Sequence, residues 1–80
     1  MQEQKEAVKS VELIISEIAA QVQKDRSANG VHINTIKDYR WIFDQESSRM
    51  NQAIFNDQTD LIHESCLKTI ATLIEILART

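Results

Sequence analysis

Residues that interrupt helices are almost absent from this chain. It has no proline, and Gly30 is the only glycine in 80 residues. Proline removes a backbone donor and clashes inside a helix, and glycine destabilises one. With so few interruptions, long helices are favoured. We therefore expect an all-α fold.

Cysteine is also scarce, because Cys66 is the only one. A disulfide within the chain is excluded, and Cys66 with His32 and His63 gives too few zinc ligands at no recognisable spacing. Cys66 lies on an apolar helical stripe, which favours a structural thiol over a catalytic one. A single unpaired cysteine fits a reducing compartment, so we expect a cytoplasmic protein.

Neither a block of one charge nor a long apolar run is present. The net charge is −3, and acidic and basic residues are interspersed along the chain. Nucleic-acid binding through the scattered Arg26, Lys37 and Arg40 therefore ranks last among the functions considered. Apolar runs such as residues 13–15 are too short for a membrane span or a secretory signal.

Apolar periodicity predicts three helices in a single domain of residues 1–80. The first covers about residues 4–25 and ends before Gly30, which can adopt the left-handed conformation of a helix end. Its apolar residues recur at alternating spacings of three and four, which is the pattern of a heptad seam. The seam consists of Val8, Val11, Ile15, Ile18 and Val22.

The second and third helices are predicted over residues 34–55 and 58–79, with Asn34 as the N-cap of the second. The short connection at residues 56–58 predicts an antiparallel hairpin at the centre of the domain. The apolar face of the second helix consists of Tyr39, Ile42, Phe43, Met50, Ala53 and Ile54, with Trp41 on its flank. The third helix carries one stripe of Ile62, Cys66, Ile70, Leu73 and Leu77 beside a second of Leu67, Ala71 and Ile74.

A chain of this length hides only about 60% of the surface that its unfolded form exposes. Apolar stripes this wide therefore predict cover from another polypeptide, and we expect a dimeric helical bundle. The function expected is a small non-enzymatic protein–protein interaction module without a cofactor, a regulator or inhibitor acting as a homodimer on a further protein. Large aromatic and sulfur-containing side chains dominate interfaces. The interface candidates are Tyr39, Trp41, Phe43, Met50, Ile15 and Ile18.

Glu46 falls in the middle of the predicted apolar face of the second helix. A carboxylate in that position needs a partner, since an isolated buried charge is very costly. Arg49 lies three residues further on and can reach it, which is the favoured interpretation. A metal ion held by Glu46 with Glu64 and Asp60 from the third helix is the alternative.

Three segments, residues 38–42, 45–54 and 61–77, resemble the MazG-like all-α nucleotide pyrophosphohydrolases. That family carries a Glu-Glu-x-x-Glu run on one helix and a Glu-x-x-Asp pair on the following antiparallel helix. The resemblance covers about residues 11–78 and consists mainly of helical pattern. It implies a dimeric or tetrameric fold in which four carboxylates hold magnesium against a nucleoside triphosphate.

The metal-binding residues that the resemblance implies are only half present. Gln45 replaces the leading glutamate of the first group. Glu46 and Glu64 can stand for the first metal ligand of each group, whereas Arg49 and Leu67 occupy the positions of the other two ligands. Magnesium requires hard oxygen ligands. A magnesium-dependent pyrophosphohydrolase, with Asp60 or Asp44 substituting, is therefore the rival to the non-enzymatic function, and magnesium is expected only under that rival.

Overall fold

A computed structural model describes residues 8–29 and 34–80 of the chain. It contains three α-helices, α1 (Val11–Asn29), α2 (Ile36–Phe55) and α3 (Thr59–Ala78), and no strand in the described ranges. The all-α prediction is confirmed. Gly30, His32 and the predicted helical residues 4–7 lie outside the described residues. No helix in the described part of the chain combines the length and hydropathy needed to cross a bilayer.

The first helix begins later and ends later than predicted. Residues 8–10 are not helical, and the Ser10 hydroxyl accepts a hydrogen bond of 3.1 Å from the backbone N–H of Leu13. A serine in this position satisfies a backbone donor that would otherwise lack a partner, which fixes the start of α1. The helix continues through Arg26 to Asn29 because residues 26–29 include neither glycine nor proline.

The second helix is capped by Thr35 and not by Asn34. The Thr35 hydroxyl accepts from the backbone N–H of Asp38 at 3.2 Å, and the Asp38 carboxylate accepts from the backbone N–H of Thr35 at 2.8 Å. This reciprocal pair is a capping box. Asn34 was the wrong choice because only Thr35 has an acidic residue three positions later that can complete the box.

A tight turn joins α2 to α3. Asp57 adopts a positive φ of 55°, a conformation that aspartate tolerates better than most residues. The backbone N–H of Gln58 donates to the carbonyl of Ala53 at 2.9 Å. At the other end of the pair, the Arg79 guanidinium donates to the backbone carbonyl of Asn34 at 3.1 Å, so the end of α3 lies beside the start of α2.

The third helix holds the domain together. It packs against both α1 and α2, whereas α1 and α2 do not contact each other within the described residues. Its most buried face carries Ser65, Thr69 and Thr72, which are spaced four and three residues apart. Each hydroxyl donates to the backbone carbonyl four residues earlier, at 2.6–2.7 Å, so none requires a partner on another helix.

Few large apolar side chains are buried by this arrangement. Among the described residues, the buried apolar set consists of Val22, Ala53 and Ala71. On the predicted stripe of α3, Leu73 and Leu77 are 42% and 70% exposed, and Cys66 and Ile70 are half-buried. This predicted stripe is therefore only partly covered by the described part of the chain.

The seam predicted on the first helix is covered at one end only. Val8, Val11 and Ile15 are 91%, 66% and 58% exposed, Ile18 is half-buried, and Val22 is buried. A contact of 3.2 Å between Glu17 Oε1 and His63 Nε2, near the start of α3, indicates that the first turns of α1 extend past that end of α3. The amino-terminal half of the seam is therefore mostly uncovered by the described residues of its own chain.

Replacing Thr35 with alanine should lower the free energy of unfolding by about 1 kcal/mol, because the capping box loses its hydroxyl acceptor. Urea denaturation followed by circular dichroism measures the change. Thr59→Ala is the matched control, since Thr59 is the first residue of α3 and is exposed. Equal losses in the two variants would contradict the assigned cap.

Candidate functional site

A groove opens over α3 because α1 and α2 stand apart on either side of it. Its volume is about 440 Å³, which lies within the size range of small-molecule sites. All three helices contribute to its lining. The main side chains are Asp25 and Arg26 of α1, Tyr39, Ile42 and Glu46 of α2, Lys68, Ala71, Thr72 and Glu75 of α3, and the flanking Asn34 and Arg79.

The buried carboxylate of Glu75 is the anchor of this groove. Only 5% of Glu75 is exposed. Arg26 of α1 donates to it twice, from Nε to Oε2 at 2.8 Å and from Nη2 to Oε1 at 2.9 Å. Such a two-point contact is the strongest form of an arginine–carboxylate pair. It fixes the end of α1 against α3.

Arg79 links the same carboxylate to the second helix. Its Nη1 donates to Glu75 Oε1 at 2.8 Å and to the Glu75 backbone carbonyl at 3.0 Å. Its guanidinium also lies 4.6 Å from the ring centroid of Tyr39, within cation–π range. One carboxylate and two guanidinium groups therefore connect all three helices at one end of the domain.

The pKa of Glu75 reflects these contacts. Hydrogen bonding from Arg26, followed by that from Arg79 and the positive charges of both groups, lowers the Glu75 pKa from 4.5 to about 2 against the opposing effect of burial. The i,i+4 pair of Glu75 and Arg79 follows from their spacing alone. The contact with Arg26 spans 49 positions, and no local pattern in the sequence indicates it.

Glu46 lines the same groove from the second helix. The predicted pair with Arg49 is present, with Arg49 Nη1 at 3.5 Å from Glu46 Oε1. Lys68 lines the groove from α3 and is half-buried. Its spacing of four residues from Glu64 predicts an ion pair, but no carboxylate of the described chain lies within 4.0 Å of its ammonium group.

The alternative metal ligands are not brought together. Glu64 and Asp60 are exposed and do not line the groove that contains Glu46. Within residues 8–29 and 34–80, there is no group of three or more His, Cys, Asp or Glu side chains that could hold a metal ion.

The predicted interface residues occupy different surfaces. Tyr39 belongs to the Glu75 cluster, and Phe43 and Met50 are half-buried. Trp41 is 63% exposed and borders a shallow depression with Gln45 and Arg49. A separate depression of about 360 Å³ between α1 and α3 is mostly apolar, and its lining includes Ile15, Ile18, Val22 and Ile74.

A second polar contact attaches α1 to the beginning of α3. Glu17 accepts from Lys9 Nζ at 3.1 Å and lies 3.2 Å from His63 Nε2. Hydrogen bonds from Lys9 and then from His63 lower the pKa of Glu17. Glu17 is half-buried, but the side chains of Lys9 and His63 are largely exposed, so this contact adds little stability and serves mainly to place α1.

Comparison of the chain with family models, with curated proteins and with solved structures gives no match.

Replacing Glu75 with glutamine should reduce the free energy of unfolding by roughly 2–3 kcal/mol. A pKa lowered from 4.5 to about 2 corresponds to about 3 kcal/mol, which solvent around the half-exposed Arg26 reduces. Urea denaturation at neutral pH measures the loss. Glu64→Gln, on the exposed side of the same helix, should change stability by less than about 0.5 kcal/mol; a similar loss there would contradict the anchoring role of Glu75.

Acid should weaken the fold through the same carboxylate. Because the Glu75 pKa is lower in the folded chain, its contribution is complete above the unfolded value of 4.5 and is lost as the pH falls from 4.5 towards 2. Thermal melts between pH 6 and pH 2 should therefore show a decline that is clearly smaller in Glu75→Gln. Parallel pH profiles for the two proteins would rule out this linkage.

Proposed function

We propose that the chain is a small non-enzymatic helical protein–protein interaction module that acts as a homodimer. The observation that carries the proposal is the placement of its large apolar side chains. Residues such as Leu73 and Leu77 lie exposed, while the buried apolar set of the described chain holds one valine and two alanines. A monomer rarely leaves so much apolar surface open without using it for association.

On one side of the pair, exposed and half-buried apolar residues form a surface that we call the apolar side, whereas the exposed Trp41 and Phe55 of α2 lie outside it. We take α2 and α3 to form an antiparallel hairpin, supported by the tight turn at Asp57 and by the contact of Arg79 with Asn34. The apolar side consists of Ile36, Phe43, Met50 and Ile54 on α2 and of Cys66, Ile70, Leu73 and Leu77 on α3.

The handedness of the helices explains why these two stripes share a side. Cys66 and Ile70 each follow a buried residue of α3 by one position, and Ile54 follows the buried Ala53 of α2 in the same way. One position is a rotation of about 100° in the same hand along either helix. In helices that run in opposite directions, that rotation turns both stripes towards the same side of the pair.

A second copy of the chain is the occupant that this side fits best. None of its eight positions carries a charge, so two copies can face each other across a two-fold axis without repulsion. Two hairpins joined in this way form a four-helix core, in which half-buried residues such as Phe43 and Met50 become fully buried. The isolated chain lacks an apolar interior of this kind.

The homodimer keeps other surfaces free for a further protein. Trp41 lies on the opposite flank of α2 from Phe43 and Met50 and is exposed there beside Arg49. Tryptophan and arginine are among the residues that contribute most to interfaces. This flank is therefore the surface through which we propose that the module acts as a regulator or inhibitor.

Substituting glutamate for Leu73 should convert the dimer to a monomer, because a charge on the two-fold interface would be buried without a partner. Light scattering coupled to size-exclusion chromatography measures the molar mass, which should fall to that of one chain. Ser48→Glu, on the far flank of α2, should leave the mass unchanged. A native mass of one chain, or dissociation by both substitutions, would refute the homodimer.

The native Cys66 gives an independent readout of the same interface. Its thiol is half-buried in the isolated chain and lies in the middle of the apolar side. Maleimide labelling should slow as protein concentration rises in the native protein, but not in Leu73→Glu.

The rival function, a magnesium-dependent nucleotide pyrophosphohydrolase, is tested directly by pyrophosphate release from nucleoside triphosphates. We expect no turnover above background. Turnover that requires magnesium and disappears in Glu46→Gln would overturn the non-enzymatic proposal.

A further inference from the structure

The groove over α3 lies on the side of the hairpin opposite the apolar side. Its residues on α3 include Lys68 and Ala71, which precede the buried Thr69 and Thr72 by one position, whereas Ile70 and Leu73 of the apolar side follow them. A second copy bound to the apolar side therefore leaves the groove open. Binding of a ligand in the groove is therefore independent of the homodimer.

Two of the charged groups in the groove are fully engaged. The Glu75 carboxylate accepts three charge-assisted hydrogen bonds from Arg26 and Arg79. The Arg79 guanidinium donates to Asn34, to the backbone and carboxylate of Glu75, and to the Tyr39 hydroxyl at 3.5 Å. These groups form a fixed end wall and have little capacity left for a ligand.

Four other charged residues of the groove lining keep unused hydrogen-bonding atoms. Arg26 uses Nε and Nη2 for Glu75, which leaves Nη1, and Lys68 has no carboxylate of the described chain within 4.0 Å. Asp25 accepts from Gln21 through Oδ1 only, and Glu46 is reached by Arg49 at a long 3.5 Å. The groove thus offers two cationic donors and two anionic acceptors from three different helices.

This balance of charge selects the class of ligand. A simple anion attracted by Lys68 and Arg26 would be repelled by Asp25 and Glu46. A simple cation would be attracted by Asp25 and Glu46 and repelled by Lys68 and Arg26. A molecule that carries an ammonium and a carboxylate on one carbon atom can place the ammonium at one anionic acceptor and the carboxylate at one cationic donor. Ile42 and Ala71 supply a short apolar surface in the same groove for the rest of such a ligand.

We propose that this groove binds a free α-amino acid, with the ligand's ammonium group at Glu46 and its carboxylate at Lys68. Asp25 and Arg26 then face the side chain of the ligand from α1. The pair of hydrogen bonds from Arg26 to Glu75 holds this end of α1 in place before the ligand binds, and such preorganisation favours binding.

The test is a titration of the full ¹⁵N-labelled chain with leucine, glutamate and lysine, followed by NMR. At least one should cause saturable amide shifts confined to the groove. Its methyl ester, which lacks the carboxylate, and its N-acetyl derivative, which lacks the ammonium, should each bind about tenfold more weakly or worse, as expected for losing a charge-assisted hydrogen bond.

Glu46→Gln and Lys68→Gln should weaken binding by a similar factor, and Glu64→Gln, outside the groove, should leave it unchanged. Circular dichroism of each variant verifies that the helices remain. No saturable shift below about 10 mM, which is weaker than millimolar affinity, would overturn the proposal. So would acetate or methylammonium binding as tightly as the amino acid, or an equal effect of Glu64→Gln.

Discussion

The buried face of α3 is small and polar, and the arrangement of the three helices follows from it. Ser65, Thr69 and Thr72 occupy the positions where a helix that touches both its neighbours would ordinarily carry large apolar residues. Their hydroxyls donate to backbone carbonyls of α3 itself, so burial leaves no hydroxyl without a hydrogen-bond partner. Small side chains at a contact bring helix axes close together. The larger residues Leu73 and Leu77 consequently face outward.

Because few apolar side chains are buried between the helices, a polar contact determines the position of α1. The carboxylate of Glu75 holds Arg26 from one helix and Arg79 from the end of its own, and Arg79 in turn contacts Tyr39 of α2. A buried ion pair contributes less net stability than its short distances suggest, but it strongly defines geometry. Here it sets how far α1 and α2 stand apart, and therefore the width of the groove.

The fold class and the number of helices could be predicted because they follow from local properties. The lack of proline and the apolar spacing determine them, and the N-cap of α2 was misplaced by a single residue, from Thr35 to Asn34. The face that α3 buries could not be predicted in this way. Apolar periodicity identifies the stripe that includes Leu73 and Leu77, and only the positions of the neighbouring helices show that hydroxyl groups, and not this stripe, occupy the buried face.

In the candidate site, too, only the contacts within one helix could be predicted from the sequence. Pairs within one helix, Glu46 with Arg49 and Glu75 with Arg79, follow from spacings of three and four residues. The contact of Arg26 with Glu75 and the position of Lys68 in the groove depend on how the helices are placed in three dimensions. For that reason the sequence identified Glu46 as unusual but did not identify Glu75 as the centre of the cluster.

The homodimer proposed above requires that a second copy completes the apolar core. When folding and association are linked, stability depends on protein concentration by mass action. The most direct measurement is the urea midpoint of unfolding over a hundredfold range of concentration. For the homodimer, the midpoint should rise steadily with concentration. A midpoint that does not move, together with fully cooperative unfolding, would exclude the homodimer.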